Sequence, residues 1–176
     1  MMTTTSIIRA EPEDAAIVAL LGRITFAETF GYLFRDHADE LRAYLDTIFG
    51  VAKVRASLGK PENAYWLALS ERLPVSYAKI KHPSAPSGQA EKGAAQLQKI
   101  YVLNEFHGEG IGKALLQQAL NEAERRCAPT IGLDVLHENK RAIEFHKTHG
   151  FAMTGEDRYT IGSQTFRFIL ITAFPR

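Results

Sequence analysis

The chain has 176 residues, with 21 Lys and Arg against 20 Asp and Glu and a single cysteine, Cys127. That length allows one domain, residues 1–176, with a substantial core, and a 45% hydrophobic, 23% charged composition reads as an ordinary globular protein. The balanced charge removes the electrostatic footprint of a nucleic-acid binder. One thiol excludes an intrachain disulfide, and no apolar run approaches the ~20 residues of a membrane span.

The N-terminal segment MMTTTSIIRAEPEDAA lacks the charged-then-apolar layout of a signal peptide, so a cytoplasmic location is expected. Ser6–Ala10 is a short strand. Glu11-Pro12-Glu13-Asp14 starts a helix, with proline in the first turn and acids at the positive end of the dipole. It runs to about Phe30, where Gly31 can stop it. Asp36 caps a second helix with Leu41, Tyr44, Leu45, Ile48 and Phe49 at helical spacing, and 51–58 is a third. Ala64–Leu69 and Val75–Lys81 read as a hairpin, followed by a loop over Pro83–Gly93. Gln96–Leu103 is a strand and Gly110–Arg126 a helix with the apolar row Ile111, Leu115, Ala119 and Ala123. Thr130–Leu136 is a strand, Asn139–His149 a helix, and Tyr159–Ile161 with Thr165–Ile171 a closing hairpin around Gly162-Ser163. This order predicts a single-domain α/β fold with a mixed sheet.

The run from Leu97 to Leu116, LQKIYVLNEFHGEGIGKALL, carries the chemistry. A strand end feeds His107-Gly108-Glu109-Gly110-Ile111-Gly112-Lys113 and then a helix. Glycines let a backbone approach an anion closely, and the first amides of a helix have no internal partners. A diphosphate would fit there. The run is neither the G-x-x-x-x-G-K-[ST] phosphate loop, since Ala114 stands where the hydroxyl is needed, nor G-x-G-x-x-G, since Leu115 takes the third position. A tight strand-to-helix turn can also need glycines without any ligand.

A second segment, Asn139-x-x-Ala142-x-x-Phe145-His146-x-x-x-Gly150-Phe151, lies about thirty residues further on. With His107-x-x-Gly110-x-Gly112 before it, the chain resembles the GNAT superfamily of N-acetyltransferases. Ile100-Tyr101-Val102 and Leu133-Asp134-Val135 match in place, and Thr25–Phe30 (TFAETF) is similar to polyamine acetyltransferases of the PaiA type. The resemblance implies a mostly antiparallel twisted sheet flanked by helices, and acetyl-CoA as co-substrate. Ile100, Tyr101 and Val102 would hold the pantetheine arm as if it were another strand. The turn from His107 through Gly108, Glu109, Gly110, Ile111 and Gly112 to Lys113 would hold the pyrophosphate, and Asn139 the CoA arm. It also implies a primary-amine acceptor, which a polyamine would satisfy, and a possible homodimer.

Two residues depart from the family pattern. His107 replaces a glutamine or arginine, which is tolerable where backbone amides do most of the binding. His146 stands where the family has a tyrosine that protonates the departing thiolate; an imidazolium or an ordered water could serve instead, and an ordinary histidine pKa near ~6.5 suits proton donation. The amine must lose a proton before it attacks. Asp134, at a strand end beside the cleft, is the first candidate for that base, and Glu28 in the TFAETF segment the second. The Val102 amide could polarise the thioester carbonyl. His137, His146 and His149 lack zinc spacing, so no metal is expected. Trp66, Tyr65 and Tyr77 read as sheet-face residues rather than a nucleic-acid platform. Two alternatives stay open: a protein or peptide N-acetyltransferase, and a non-catalytic CoA-binding sensor.

Overall fold

The structure, a computed structural model, describes residues 5–86 and 91–175. Four residues of the expected 83–93 loop, 87–90, lie outside the described residues. The helices are α1 (Ala15–Phe30), α2 (Ala38–Ile48), α3 (Val51–Leu58), α4 (Ile111–Arg125) and α5 (Lys140–Thr148). The strands are β1 (Thr5–Arg9), β2 (Asn63–Ser70), β3 (Leu73–Lys81), β4 (Ala95–Val102), β5 (Ile131–Leu136), β6 (Ala152–Ile161) and β7 (Gln164–Ala173). They form one seven-stranded sheet in the order β1-β2-β3-β4-β5-β7-β6. Every pairing is antiparallel except β4 with β5.

Two cores cover the two sheet faces. On one, Ile111, Leu115, Ala119 and Ala123 of α4 pack on Ala78, Ile80, Leu97, Leu133 and Val135, with Ile143 of α5 beside them. On the other, Val18 and Phe26 of α1, Leu45 of α2 and Val54 of α3 pack on Tyr65, Leu67 and Tyr77. The strand alternation explains the division, because successive side chains leave a strand on opposite faces.

Several boundaries differ from the sequence expectation. A 3-10 turn, Pro12–Asp14, precedes α1, and the Glu11 amide donates to Asp14 Oδ2 at 2.9 Å. Gly31 does not stop the chain. It keeps a right-handed helical conformation and opens a second 3-10 turn, Gly31–Phe34. Asp36 therefore does not cap α2: the cap position is His37, without a side-chain capping bond. The continuous helical stretch Pro12–Phe34, 23 residues with a window of mean hydropathy 1.4, is long and apolar enough to cross a membrane by length and composition alone. It carries Glu13, Asp14, Arg23 and Glu28, so it is a mixed stretch rather than an unbroken apolar run. In the fold it buries Ala15, Val18, Ala19, Leu21, Thr25 and Phe26 on the second core.

The last correction concerns β6, which spans Ala152–Ile161 rather than only Tyr159–Ile161. Its tip is tied to α2, where Ser163 donates from its amide and Oγ to the Glu40 carboxylate at 3.0 and 2.7 Å. That clamp brings the β6–β7 hairpin over the second core.

Candidate active site

The parallel strands β4 and β5 pair only at Ala95↔Ile131 and Gln96↔Gly132. Beyond these two positions they diverge, although each remains fully paired on its other side. Two strand edges thus face one another across a gap, with backbone donors and acceptors that no strand satisfies. Backbone direction alternates along a strand. Leu103 donates its amide to Val75 O at 3.0 Å and Tyr101 O accepts from Ser76 Oγ at 2.6 Å, so those residues face β3. The backbone groups of Ile100 and Val102 therefore point into the gap. Of the expected trio, Tyr101 contributes its side chain and not its backbone.

The gap opens into a cleft of about 590 Å³ on the α4 side, lined by Ile100, Tyr101, Val102, His107, Gly108, Gly110, Ile111, Gly112, Lys113 and Asn139. Glu109 is exposed and outside this lining. Gly108 and Gly110 have φ of 89° and 78°, the left-handed region that glycine enters without strain. Gly110 caps α4 with no side-chain bond, which leaves the first helical amides available at the positive end of the dipole.

His107 bridges two elements. Its Nδ1 lies 2.7 Å from Arg141 Nη1, which can only donate, so Nε2 carries the proton and donates to Val102 O at 2.8 Å. This fixes the ring and draws Arg141 to the turn, beside Lys113. Asn139 accepts the Ala142 amide through Oδ1 at 3.1 Å, capping α5, and lines the cleft.

A second chamber of about 510 Å³ lies on the opposite sheet face. Phe26 and Phe30 of α1, Tyr44 and Phe49 of α2 and its end, and Phe166 and Phe168 of β7 surround a floor of Tyr65, Tyr77, Lys79, Lys99 and Tyr101. Lys99, Tyr101 and Asp134 line the cleft and the chamber alike. Asp134 sits on β5 at the divergence. Burial raises its carboxyl above the ordinary value, a shift opposed by a hydrogen bond from Tyr159 and by Gln96, whose Nε2 lies 3.4 Å from Oδ2. Its Oδ1 is buried without a hydrogen-bond partner among the described residues.

Two expected catalytic residues fare differently. Glu28 lines neither cavity. It is exposed, and its Oε2 accepts the Asn104 amide at 3.1 Å, tying α1 to the segment after β4. His146 does line the cleft, but it is 3% exposed and packs edge-on to Phe145 and Phe151. Burial, followed by repulsion from His149, lowers its pKa to about 4. The ring is held neutral at pH 7, which favours the ordered water over the imidazolium of the two expected proton donors.

Arg141, Lys79, Lys99 and Tyr159 escaped the sequence reading as site residues. For Lys79 and Lys99 the signal was available: a lysine inside an otherwise apolar strand, where a core face is expected, marks a lined cavity. Arg141 and Tyr159 had none, since their roles depend on contacts from distant segments. Among the described residues no cluster of three or more metal-ligating side chains occurs.

The comparisons with known proteins agree with this arrangement. The model of the Acetyltransferase (GNAT) family matches residues 25–151. An uncharacterized N-acetyltransferase in the pepI 3' region of Lactobacillus delbrueckii subsp. lactis is 22% identical over 162 residues, 92% of each chain. The peptidyl-lysine N-acetyltransferase YjaB of Escherichia coli is 29% identical over 96 residues, 54% of each. Among solved structures, the PaiA N-acetyltransferase of Thermoplasma acidophilum, in complex with coenzyme A, superposes with a TM-score of 0.79 at 15% identity, over 97% of this chain and 99% of that one. The family match over most of the length, on a sheet that splits where a strand-like ligand would enter, makes this chain a member of the GNAT family, an acetyl-CoA-dependent N-acetyltransferase.

Proposed function

We propose that the protein acetylates the primary amine of a small molecule, with the amine in the aromatic chamber and acetyl-CoA in the cleft. One observation carries this reading: Asp134 lines both cavities at the point where β4 and β5 part. The cleft residues fit the co-substrate. The backbone groups of Ile100 and the amide of Val102 suit a pantetheine arm, and the uncapped amides at 111–113, with Lys113 and Arg141, suit a pyrophosphate. When bound, acetyl-CoA supplies an acetyl thioester: the amine nitrogen bonds the carbonyl carbon, the carbon–sulfur bond breaks, and the thiolate takes up a proton.

The residues divide the remaining work. Asp134 accepts the proton that the ammonium must lose, directly or through one water. Its unpartnered Oδ1 and raised pKa suit a base that is desolvated yet held by Tyr159. The Val102 amide donates to the developing oxyanion. His146, neutral at pH 7, contributes a hydrogen-bonding ring, and the thiolate proton comes from water. Glu28 positions the segment after β4.

A chamber roofed by helices and the clamped hairpin suits a small molecule better than a peptide, which needs an open groove. The YjaB relative is the observation on the side of the peptide reading. A cytoplasmic location and a homodimer belong to the same proposal; the free thiol of Cys127 is in keeping with a reducing compartment. The test is thiol release from acetyl-CoA with a panel of amines and lysine peptides, alongside calorimetric titration with acetyl-CoA. We expect small amines to outperform peptides, and Asp134→Asn to lower kcat/KM by about a hundredfold or more. Tight acetyl-CoA binding with no transfer to any amine would instead identify a sensor.

A further inference from the structure

We infer that the acceptor carries an anionic group as well as its amine, on an apolar body, so that the chamber selects amino-acid-like molecules over polyamines. This rests on the reading of the protein as a small-molecule acetyltransferase.

A β-bulge starts the argument. Register passes from Ile80↔Leu97 to Lys79↔Lys99, so Gln98 is the extra residue of β4. The bulge sets Lys99 directly opposite Lys79 and turns both side chains to the chamber face, in line with Tyr65, the β2 partner of Lys79. Like charges directly opposite one another in a ladder are destabilising, and burial adds to that cost. Both ammoniums lie over aromatic rings, Lys79 Nζ 5.4 Å from the Tyr65 centroid and Lys99 Nζ 5.6 Å from that of Phe49. Lys53 stands at the same chamber.

Among the described residues neither lysine forms a salt bridge, although the Asp134 charge is felt at Lys99. The ion pairs among the described residues lie elsewhere, such as Arg23 with Asp46, Glu122 with Arg125 and Arg126, and Arg167 with Glu156. Asp134 is the one acid in the chamber lining. Burial first, then repulsion from Lys99 and other lysines at Lys79 and from Lys53 at Lys99, lowers both to about 8, with Asp134 opposing the shift at Lys99; most of each stays charged at pH 7. A further donor is present: the Tyr77 hydroxyl is buried in the same chamber with no hydrogen-bond partner among the described residues.

Two cations and an orphaned hydroxyl, in one chamber with a carboxylate whose Oδ1 is orphaned, make a bipolar site. A polyamine would place its extra ammonium against two others. An anion would offset their repulsion and accept from Tyr77, while the amine of the same molecule meets Asp134. The aromatic walls suit an apolar group carried by the same molecule. The transfer balances as before: the ammonium gives up its proton, the N–C bond replaces the S–C bond, and free thiol leaves with the N-acetylated anion.

Matched amine pairs test this: L-phenylalanine with phenethylamine, L-leucine with isopentylamine, and phosphoethanolamine with ethanolamine, with spermidine alongside. Thiol release gives kcat/KM for each. We expect the anionic member of at least one pair to exceed its neutral twin by about tenfold to a hundredfold, the range of a hydrogen-bonded charged contact. Which pair responds distinguishes carboxylate from phosphate. Lys79→Met should collapse that ratio toward one while calorimetry shows unaltered acetyl-CoA binding, which also establishes that the variant folds. Preference for the neutral twins or for spermidine overturns the inference and leaves the acetyltransferase reading standing. A ratio that survives in both Lys79→Met and Lys99→Met also overturns it. Absence of thiol release with every amine, despite acetyl-CoA binding, removes the enzyme reading and this inference with it.

Discussion

His146 shows how a residue's position and its charge state can come from different sources. Its place on α5 follows from local spacing, which brings Ala142, Phe145 and His146 to one side of the helix. Its neutrality comes from Phe145 and Phe151 packed against the ring and from His149 a turn away. Desolvation disfavours the charged form, so the folded pKa of about 4 lies below the ordinary 6.5. The consequence for stability has a definite sign. The unfolded chain binds this proton more readily, so the contribution of the neutral ring is complete above pH 6.5 and is lost as pH falls toward 4. The consequence for rate is also definite. An imidazolium acid of ordinary pKa would make kcat fall as pH rises through 6 to 8. With acceptor and acetyl-CoA saturating, we expect no such fall attributable to His146, and the pH profile of kcat for His146→Gln should run parallel to that of the parent. A descending limb that disappears in the variant would restore the acid role. The position of Asp134 at the cleft was legible because it lies on the strand that leads to Asn139. Glu28 was misread for lack of its partner, the Asn104 amide, 76 residues away in the chain.

At the scale of elements, α4 has two ends with opposite duties. Its N-terminus stays uncapped at the glycine turn, while its C-terminal turn is anchored through Glu122. This carboxylate, 7% exposed, accepts from Arg125 at 2.7 and 2.9 Å and from Arg126 at 2.7 Å. Arg126 also donates to Pro61 O at 3.0 Å, and Arg9 of β1 lies 3.8 Å from Glu122. Burial alone would raise the pKa of Glu122; the arginine hydrogen bonds outweigh it and lower it to about 2. Because the folded pKa lies below the ordinary 4.5, the stabilisation is complete above that pH and lost as pH falls toward 2. Glu122→Gln should therefore cost about 1–3 kcal/mol at pH 7. In urea denaturation the gap between parent and variant should narrow at pH 3; an equal gap at both pH values would show that the cost is steric. Elements of this kind were largely readable from the chain, since α4 combines a clean apolar row with glycine entry. β6 was not, because Gly155, Glu156 and Asp157 look like loop residues. They are tolerated in a strand at the sheet edge with one face in water, where charge is a common protection against unwanted pairing. The Lys79 and Lys99 pairing was invisible for a different reason: it depends on a one-residue bulge, and a one-residue slip moves a side chain to the other face.

The molecule as a whole is two half-sheets held together at one end. β1–β4 and β5–β7 share only the two ladder pairs at Ala95 and Gln96, and the helices on either face complete the join. The seam that weakens the sheet is also where the co-substrate is proposed to lie, so binding and mechanical closure are linked. A ligand that bonds to both open edges should protect both from hydrogen exchange. A ligand held only at the glycine turn should protect 108–113 and leave the strands as they were. Hydrogen-exchange mass spectrometry with and without acetyl-CoA separates these outcomes. We expect slower exchange in peptides spanning 98–102 and 133–136 as well as in the turn. At about a hundredfold excess over Kd the gain is about 2.7 kcal/mol, which for a chain of this length raises Tm by about 5–10 °C. Protection confined to the turn, with a comparable Tm shift, would mean that the pantetheine arm does not enter the gap between β4 and β5. The meeting of thioester and amine at Asp134 would then have to be abandoned.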